Sequence, residues 1–266
     1  MHLPEPDTLW GGRLVLWQPA RKGGYRFNLD PVLLAGFAAQ IPGPLGHVLD
    51  LGAGCGIVGL MLLASGRAQR VTAVERQPEL AAFVRRNIQA NGLDATMTLI
   101  EGDLRAASLP QADVVVFNPP YYKVGHGHAS GDPGRDAGRR EVHGTLDDFL
   151  ARAAAAMGPK GHLAAIIPTA RLRQFCATAH RLGLALERHT AVHAFEESPQ
   201  KHCLLQAGAA PSAPGQSPLA PRFCGSGAPQ AGGAPGQRAR LQPLRPGPHR
   251  RPPAKPQSLR GARCCQ

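Results

Sequence analysis

The 266-residue chain has no apolar run long enough to span a bilayer. Its first residues, MHLPEPDTLWGG, are polar and rich in turn formers, unlike a secretory signal. The protein is therefore expected in the cytoplasm, with no membrane partner. Its six cysteines follow no regular framework, which points to reduced thiols rather than a secreted disulfide scaffold. His126 and His128 have no cysteine or acidic residue nearby, and the terminal pair Cys264-Cys265 lacks ligand spacing, so no metal site is expected.

Acidic residues are missing from one region altogether. From Gln206 to the end there are nine Lys and Arg and no Asp or Glu, and Val, Ile, Met, Tyr and Trp are absent as well. Removing those nine from the formal charge of +12 leaves +3 for residues 1–205. The basic balance of the whole chain thus overstates that of its body. A segment of Ala, Gly, Pro, Arg, Ser and Gln buries too little apolar surface to offset its ordering entropy, which predicts disorder. Two further readings stay open: a basic arm that grips phosphates, or out-of-frame translation of a GC-rich gene, which yields the same bias. The abrupt break after Cys203-Leu204-Leu205 favours the last. The expected organisation is an N-terminal element over 1–45, a catalytic domain over 46–205 and a basic tail over 206–266.

In the body, strand and helix patterns alternate, the signature of a mostly parallel α/β sheet covered on both faces. Strands are expected at 47–51, 71–74, 96–100, 113–117, 163–167 and 184–192, with a seventh beginning at Cys203. The low-complexity run starts there, so the last hairpin edge is expected to be truncated. Pro78 fits a first helical turn, Thr145 and Asp148 have capping-box spacing, and Asn91-Gly92 and Gly183 stop helices.

Asp50-Leu51-Gly52-Ala53-Gly54-Cys55-Gly56 reads as a strand, a tight glycine turn and a helix start. The glycines permit positive φ and close approach of a ligand to the backbone, and the helix start offers unpaired N–H groups. From Gly54 the run also matches the dinucleotide fingerprint GxGxxG. Acidic residues decide between the ligands. Glu75 ends the second strand, where a carboxylate accepts two ribose hydroxyls. Asp103, beyond the third strand, suits an adenine amino group. Asp50 precedes the glycines, where it can hold an ammonium, which NAD lacks. Three carboxylates fit S-adenosylmethionine, with Gly52, Ala53, Gly54 and Gly56 forming the loop around it.

DVVVFNPPYY runs four apolar strand residues straight into Asn118-Pro119-Pro120-Tyr121. The prolines end the strand, leaving an amide and aromatic rings at the sheet edge where ligands bind. The chemistry of a planar exocyclic nitrogen calls for these groups. Its lone pair is delocalised into the ring, and accepting both of its hydrogens, with the Asn118 side-chain oxygen and the Pro119 carbonyl, favours a tetrahedral, localised nitrogen. Tyr121 can stack on the base, a contact worth ~1–3 kcal/mol. The glycine-rich basic loop that follows, Lys123 to Arg140, reads as a substrate loop, with Lys123, Arg135, Arg139 and Arg140 as phosphate contacts.

GGYRFNLDPVLLAGFA, VLDLGAGCGIVGLML, VTAVERQPELAAFVRRNIQANGL, FNPPYY and the RRE at Arg139 to Glu141 carry a resemblance. From Leu9 to Leu205 the chain resembles the tRNA adenine N6-methyltransferases that modify the adenine 3′ of the anticodon in valine tRNA. That resemblance implies a doubly wound, mostly parallel, seven-stranded Rossmann-like sheet of the class I methyltransferases. It also implies an enzyme, S-adenosylmethionine as cofactor, a tRNA substrate and a monomer. Asp30 matches the family's pre-loop element and either helps close the cofactor site or caps a helix with Pro31 at its first turn. Rival substrates are a glutamine amide in a release factor, guanine N2 in ribosomal RNA and adenine in DNA. The glutamine enzymes usually carry a helical N-terminal domain, the DNA enzymes a target-recognition domain, and the guanine enzymes an internal duplication; none is visible here. A non-catalytic or damaged RNA-binding relative is the reading from another class.

Overall fold

All five residues of the strand HVLDL, His47–Leu51 (β3), are buried, as expected of the central strand of a parallel sheet covered on both faces. The computed structural model describes residues 6–19, 26–119, 144–193, 198–210 and 245. Before β3 come a two-stranded antiparallel ribbon, Asp7–Leu9 (β1) and Leu14–Leu16 (β2), and a helix, Leu29–Ala38 (α1). After it follow Ile57–Ala64 (α2), Arg70–Glu75 (β4), Pro78–Ala90 (α3), Met97–Glu101 (β5) and Ala112–Phe117 (β6). The described chain then continues with Leu146–Ala156 (α4), Met157–Pro168 (β7), Leu172–Arg181 (α5), Leu184–Val192 (β8) and His202–Ala209 (β9).

The seven strands from β3 to β9 form one sheet in the order β5-β4-β3-β6-β7-β9-β8. Strands β3 to β7 are mutually parallel where they pair, and β9 is antiparallel to both β7 and β8. Chain order reverses at β3, whose neighbours are β4 and β6. The crevice at the carboxyl ends of these strands is where a doubly wound sheet binds its ligands.

Side-chain alternation along the strands builds two cores. Val48, Val71, Val114, Val116 and Ile166 face one way, against α1, α2 and α3. Leu49, Leu51, Val115, Phe117, Leu163 and Ile167 face the other, against Phe149 and Leu150 of α4 and Phe175 of α5. The capping box is present as predicted: the Asp148 N–H donates to Thr145 Oγ1 at 3.2 Å, and the Thr145 N–H donates to the Asp148 carboxylate at 2.8 Å. Pro78 occupies the first turn of α3.

Two expectations need correction. Asp30 is not the cap of α1. Asn28 is, accepting the Asp30 N–H at 3.1 Å while its own amide donates to the Asp30 carboxylate at 2.7 Å. The last strand is also not cut off at Leu205. β9 runs on to Ala209 and lies between β7 and β8, with Cys203 to Gly208 buried. Residues 206–209 belong to the sheet although they read as low-complexity sequence. Strand pairing uses backbone N–H and C=O groups, which Gln206, Ala207 and Gly208 offer to both neighbours and Ala209 to β8. Gln206 adds a hydrogen bond to Glu187 at 2.7 Å. The rest of the 206–266 segment, apart from Ala210 and Arg245, lies outside the described residues.

A truncation tests this boundary. A chain ending at Leu205 loses the pairing of Gln206, Ala207 and Gly208 with both neighbouring strands. At ~1 kcal/mol per hydrogen bond, it should be less stable by several kcal/mol than a chain ending at Ala210. Equal urea midpoints for the two would show that the strand ends where the apolar residues do.

Candidate active site

Gly52, Gly54 and Gly56 all have left-handed backbone, with φ of 69°, 60° and 84°. The turn between β3 and α2 needs glycine for this reason, and any side chain there is strained. A Cβ on Gly52 would also stand 3.1 Å from the Phe149 ring. Gly59, in the first turn of α2, has a different reason. A Cβ there would lie 2.7 Å from Val71 of β4, so this glycine lets the helix pack close on the sheet.

The loop encloses a cavity at the carboxyl ends of β3, β4 and β6. Asp50, Gly52, Ala53, Gly54, Glu75 and Asn118 all line it. Glu75, the last residue of β4, is 5% exposed. Its carboxylate accepts the Gly54 N–H and the Gln77 N–H, both at 2.8 Å. Asp50 is 2% exposed and accepts the Gly59 N–H from the first turn of α2 at 3.3 Å. Among the described residues neither carboxylate has a cationic partner. Burial raises the pKa of Glu75, against the backbone N–H groups of Gln77, Gly54 and Arg76. Burial also pushes Asp50 up to about 7; the Gly59 N–H opposes this and the nearby Glu75 charge adds to it. The cavity thus holds two acidic groups short of donors and positive charge.

That deficit has a pH signature. The Asp50 carboxyl has an ordinary value of 3.8 and a folded value of about 7, so across this window the folded state binds the extra proton. Its contribution to stability is complete below the unfolded value and is lost as pH rises through the folded one. The stability of the ligand-free protein minus that of Asp50→Asn should therefore fall between about pH 4 and pH 7. A flat difference in denaturation free energy would show that Asp50 is not buried as an isolated acid.

The other expected residues lie at varied distances from this cavity. Asp103 does not line it, although Gly102 and Leu104 on either side do. Its carboxylate is engaged by Arg105 at 2.5 Å and Arg76 at 3.3 Å. Hydrogen bonding to the Arg105 guanidinium holds it down to about 2, so it stays ionised. Asp30 is buried at the start of α1, next to Pro31, which lines the cavity. Gly56 and Pro119 flank lining residues without lining it themselves, and Pro119 is buried. Pro120, Tyr121, Lys123, Arg135, Arg139 and Arg140 lie outside the described residues.

Sequence reasoning passed over the apolar wall. Phe27, Pro31, Leu104 and Phe149 line the same cavity, and Phe149 packs on Phe117 at 5.6 Å between ring centroids. Phe149 reads as one apolar position on a helix face. Phe27 sits three residues before Asp30, a proximity that could have flagged it. Cys55 in the loop is buried, and its thiol is pushed up to about 12 by burial, so it is a filler rather than a nucleophile.

A switch-point cavity with a glycine loop, a carboxylate ending the second parallel strand and an asparagine ending the fourth defines a class I methyltransferase. Residues 31–174 match the methyltransferase small domain family, and the chain belongs to it. It is an enzyme, and its cofactor is S-adenosylmethionine. The chain is 31% identical over 202 residues to a protein of Porphyromonas gingivalis named tRNA1(Val) (adenine(37)-N6)-methyltransferase, covering 73% of this chain and 78% of that one. It is 32% identical over 149 residues to an Aeromonas hydrophila protein of the same name, covering 55% and 61%. Among solved structures, Trm5b from Pyrococcus abyssi shares the fold with a TM-score of 0.52 at 17% identity, over 75% of this chain and 54% of that one.

Proposed function

We propose that the protein transfers a methyl group from S-adenosylmethionine to the N6 nitrogen of adenine in a tRNA, as the names of its relatives state for them. The observation that carries this reading is that Asn118 lines the same cavity as Asp50, Glu75 and the glycine loop. The parallel register of β3 and β6, with Leu51 beside Phe117, brings the two chain segments together. A nitrogen-activating amide and a cofactor-type acidic pocket thus share one space.

Bound S-adenosylmethionine supplies an electrophilic methyl on a sulfonium. Toward it, Glu75 is held by Gly54 and Gln77 so that its remaining acceptor positions take the ribose hydroxyls. Asp50 takes the ammonium of the methionine moiety. Gly52, Ala53, Gly54 and Gly56 admit it close to the backbone, Asp30 closes the site from α1, and Leu104 and Phe149 give the adenine an apolar wall. Asp103 accepts from the adenine amino group with whatever acceptor capacity Arg105 and Arg76 leave it.

Toward the substrate, the Asn118 side-chain oxygen and the Pro119 carbonyl accept the two hydrogens of the target amine. The nitrogen becomes pyramidal and its lone pair is freed for in-line attack. No strong base is needed, because the proton leaves after the nitrogen has become cationic. Pro120 belongs to the same motif, and Tyr121 stacks on the base. Lys123, Arg135, Arg139 and Arg140 contact the RNA phosphates. Among the described residues no helix is long and apolar enough to cross a membrane, and a cytoplasmic monomer fits the substrate. The catalytic unit follows the N-terminal element of residues 1–45 and extends from residue 46 through β9 to Ala209.

Incubating the protein with total tRNA and S-adenosylmethionine labelled in the methyl group, then resolving nucleosides by mass spectrometry, tests the reading. Label in N6-methyladenosine supports it. Label in N2-methylguanosine alone refutes it.

A further inference from the structure

Asn87 in the middle of α3 is fully buried, with 0% exposure, and every hydrogen-bonding group of its amide is used. Its oxygen accepts the Trp17 N–H at 2.6 Å, and its nitrogen donates to the Trp17 carbonyl at 2.8 Å and to the Cys55 carbonyl at 2.9 Å. One turn further on, Asn91 accepts from the Val15 N–H at 2.9 Å and donates to the Val15 carbonyl at 2.7 Å. Asn87 and the C-capping Asn91 of α3 thus meet Val15 of β2 and Trp17 just beyond it, and two side-chain amides pair with the backbone there. Arg86 stacks over the Trp17 ring at 3.3 Å from its centroid.

Of the two asparagines, Asn87 alone is bonded to the glycine loop. The Cys55–Gly56 peptide it holds runs into Gly56, whose φ of 84° is left-handed. Its N–H side is bonded to the Ala53 carbonyl at 2.8 Å. The carbonyl side is fixed by Asn87. Beyond Trp17 the chain passes through Gln18, whose oxygen accepts the Phe27 N–H at 3.3 Å, and Phe27 and Pro31 line the cavity. Asn87 therefore ties together the floor of the cofactor cavity and the strap that walls it.

We propose that Asn87 is a positioning residue for the methyl transfer, which sets cofactor affinity by locking the Cys55–Gly56 peptide to the N-terminal strap. The inference rests on the reading that the glycine loop holds S-adenosylmethionine. Removing the Asn87 amide orphans the Cys55 carbonyl and frees a peptide with glycine on one side to rotate out of its binding conformation. Removing the Asn91 amide orphans the backbone of Val15 and takes one donor from the Asn87 main-chain carbonyl, which keeps the Asn91 N–H at 3.2 Å, but it breaks no bond to the loop. The two substitutions separate positioning from the mere docking of the ribbon.

Calorimetry with S-adenosylhomocysteine on wild type, Asn87→Ala and Asn91→Ala is the test. Asn87→Ala should weaken binding about tenfold or more and raise the KM for S-adenosylmethionine in parallel, with kcat at saturating cofactor little changed. Asn91→Ala should keep wild-type affinity even where its melting temperature drops as far. Asn87→Leu keeps the volume but has no donor for the Cys55 carbonyl at any pH. It should lose affinity in the same direction if the alanine variant does not fold. Wild-type affinity in either Asn87 variant, or equal losses in Asn87→Ala and Asn91→Ala, overturns the proposal. A wild-type protein that binds no S-adenosylhomocysteine overturns the cofactor reading beneath it.

Discussion

Replacing Asn118 by alanine lowers kcat by about 10²–10³-fold, the usual effect of removing one preorganised polar group from a reacting centre. S-adenosylhomocysteine affinity changes little. The asymmetry follows from where the interaction strengthens. The amide oxygen accepts a hydrogen from a planar amine only weakly. It accepts far better once the nitrogen pyramidalises and gains positive charge, so the bond is worth more in the transition state than in the ground state. Asn118 lines the cavity and follows directly on Phe117, whose ring is buried and packed on Phe149. Truncating Asn118 beyond Cβ leaves that packing intact. Near-normal turnover of Asn118→Ala at saturating substrates would remove the hydrogen-bonding role assigned here.

Glu75→Ala weakens S-adenosylhomocysteine binding by ~1–3 kcal/mol, the cost of leaving buried partners unpaired. The substitution strips two acceptors from the ligand and also orphans the N–H groups of Gly54 and Gln77, which the carboxylate holds at 2.8 Å each. Glu75→Gln separates these contributions. It keeps the side-chain volume and one acceptor, and presents a donor where a backbone N–H or a ribose hydroxyl needs an acceptor. It should lose most of the affinity with a smaller loss of stability. Calorimetry with S-adenosylhomocysteine, alongside NADH as a control ligand, reads both effects. Binding of NADH alone would contradict the assignment of the pocket.

The parts of this protein governed by local rules were legible in the sequence. Buried parallel strands read as short apolar runs, Thr145 and Asp148 announced their capping box, and the glycines of the loop announced a backbone that only glycine adopts cheaply. Asp50, Glu75 and Asn118 were legible because each stands at the end of a strand, and a doubly wound sheet gathers strand ends. The rest depended on partners distant in sequence. The ribbon of β1 and β2 is held by Asn87 and Asn91, more than sixty residues on, and an asparagine on a helix looks like any solvent-facing residue. The final strand hid for another reason. Its last residues, Gln206 to Ala209, are held by backbone pairing, Gln206 to Gly208 with both β7 and β8 and Ala209 with β8 alone, and a Gln-Ala-Gly-Ala run next to a low-complexity segment looks like part of it. Arg188 follows the same pattern. It stacks on Phe37 at 3.8 Å and donates to the Phe37 carbonyl at 2.7 Å, tying β8 to α1 across 151 positions of sequence.

Delivery of a methyl group to an adenine amine in RNA is the chemistry assigned to this cavity. Single-turnover reaction of the purified protein with tRNA and methyl-labelled S-adenosylmethionine, followed by nucleoside mass spectrometry, tests it most directly, with Asn118→Ala run in parallel. The wild type should place label in N6-methyladenosine, and Asn118→Ala should do so at a rate lower by about two orders of magnitude. Label on another nucleoside, or equal labelling by wild type and Asn118→Ala, would contradict that assignment.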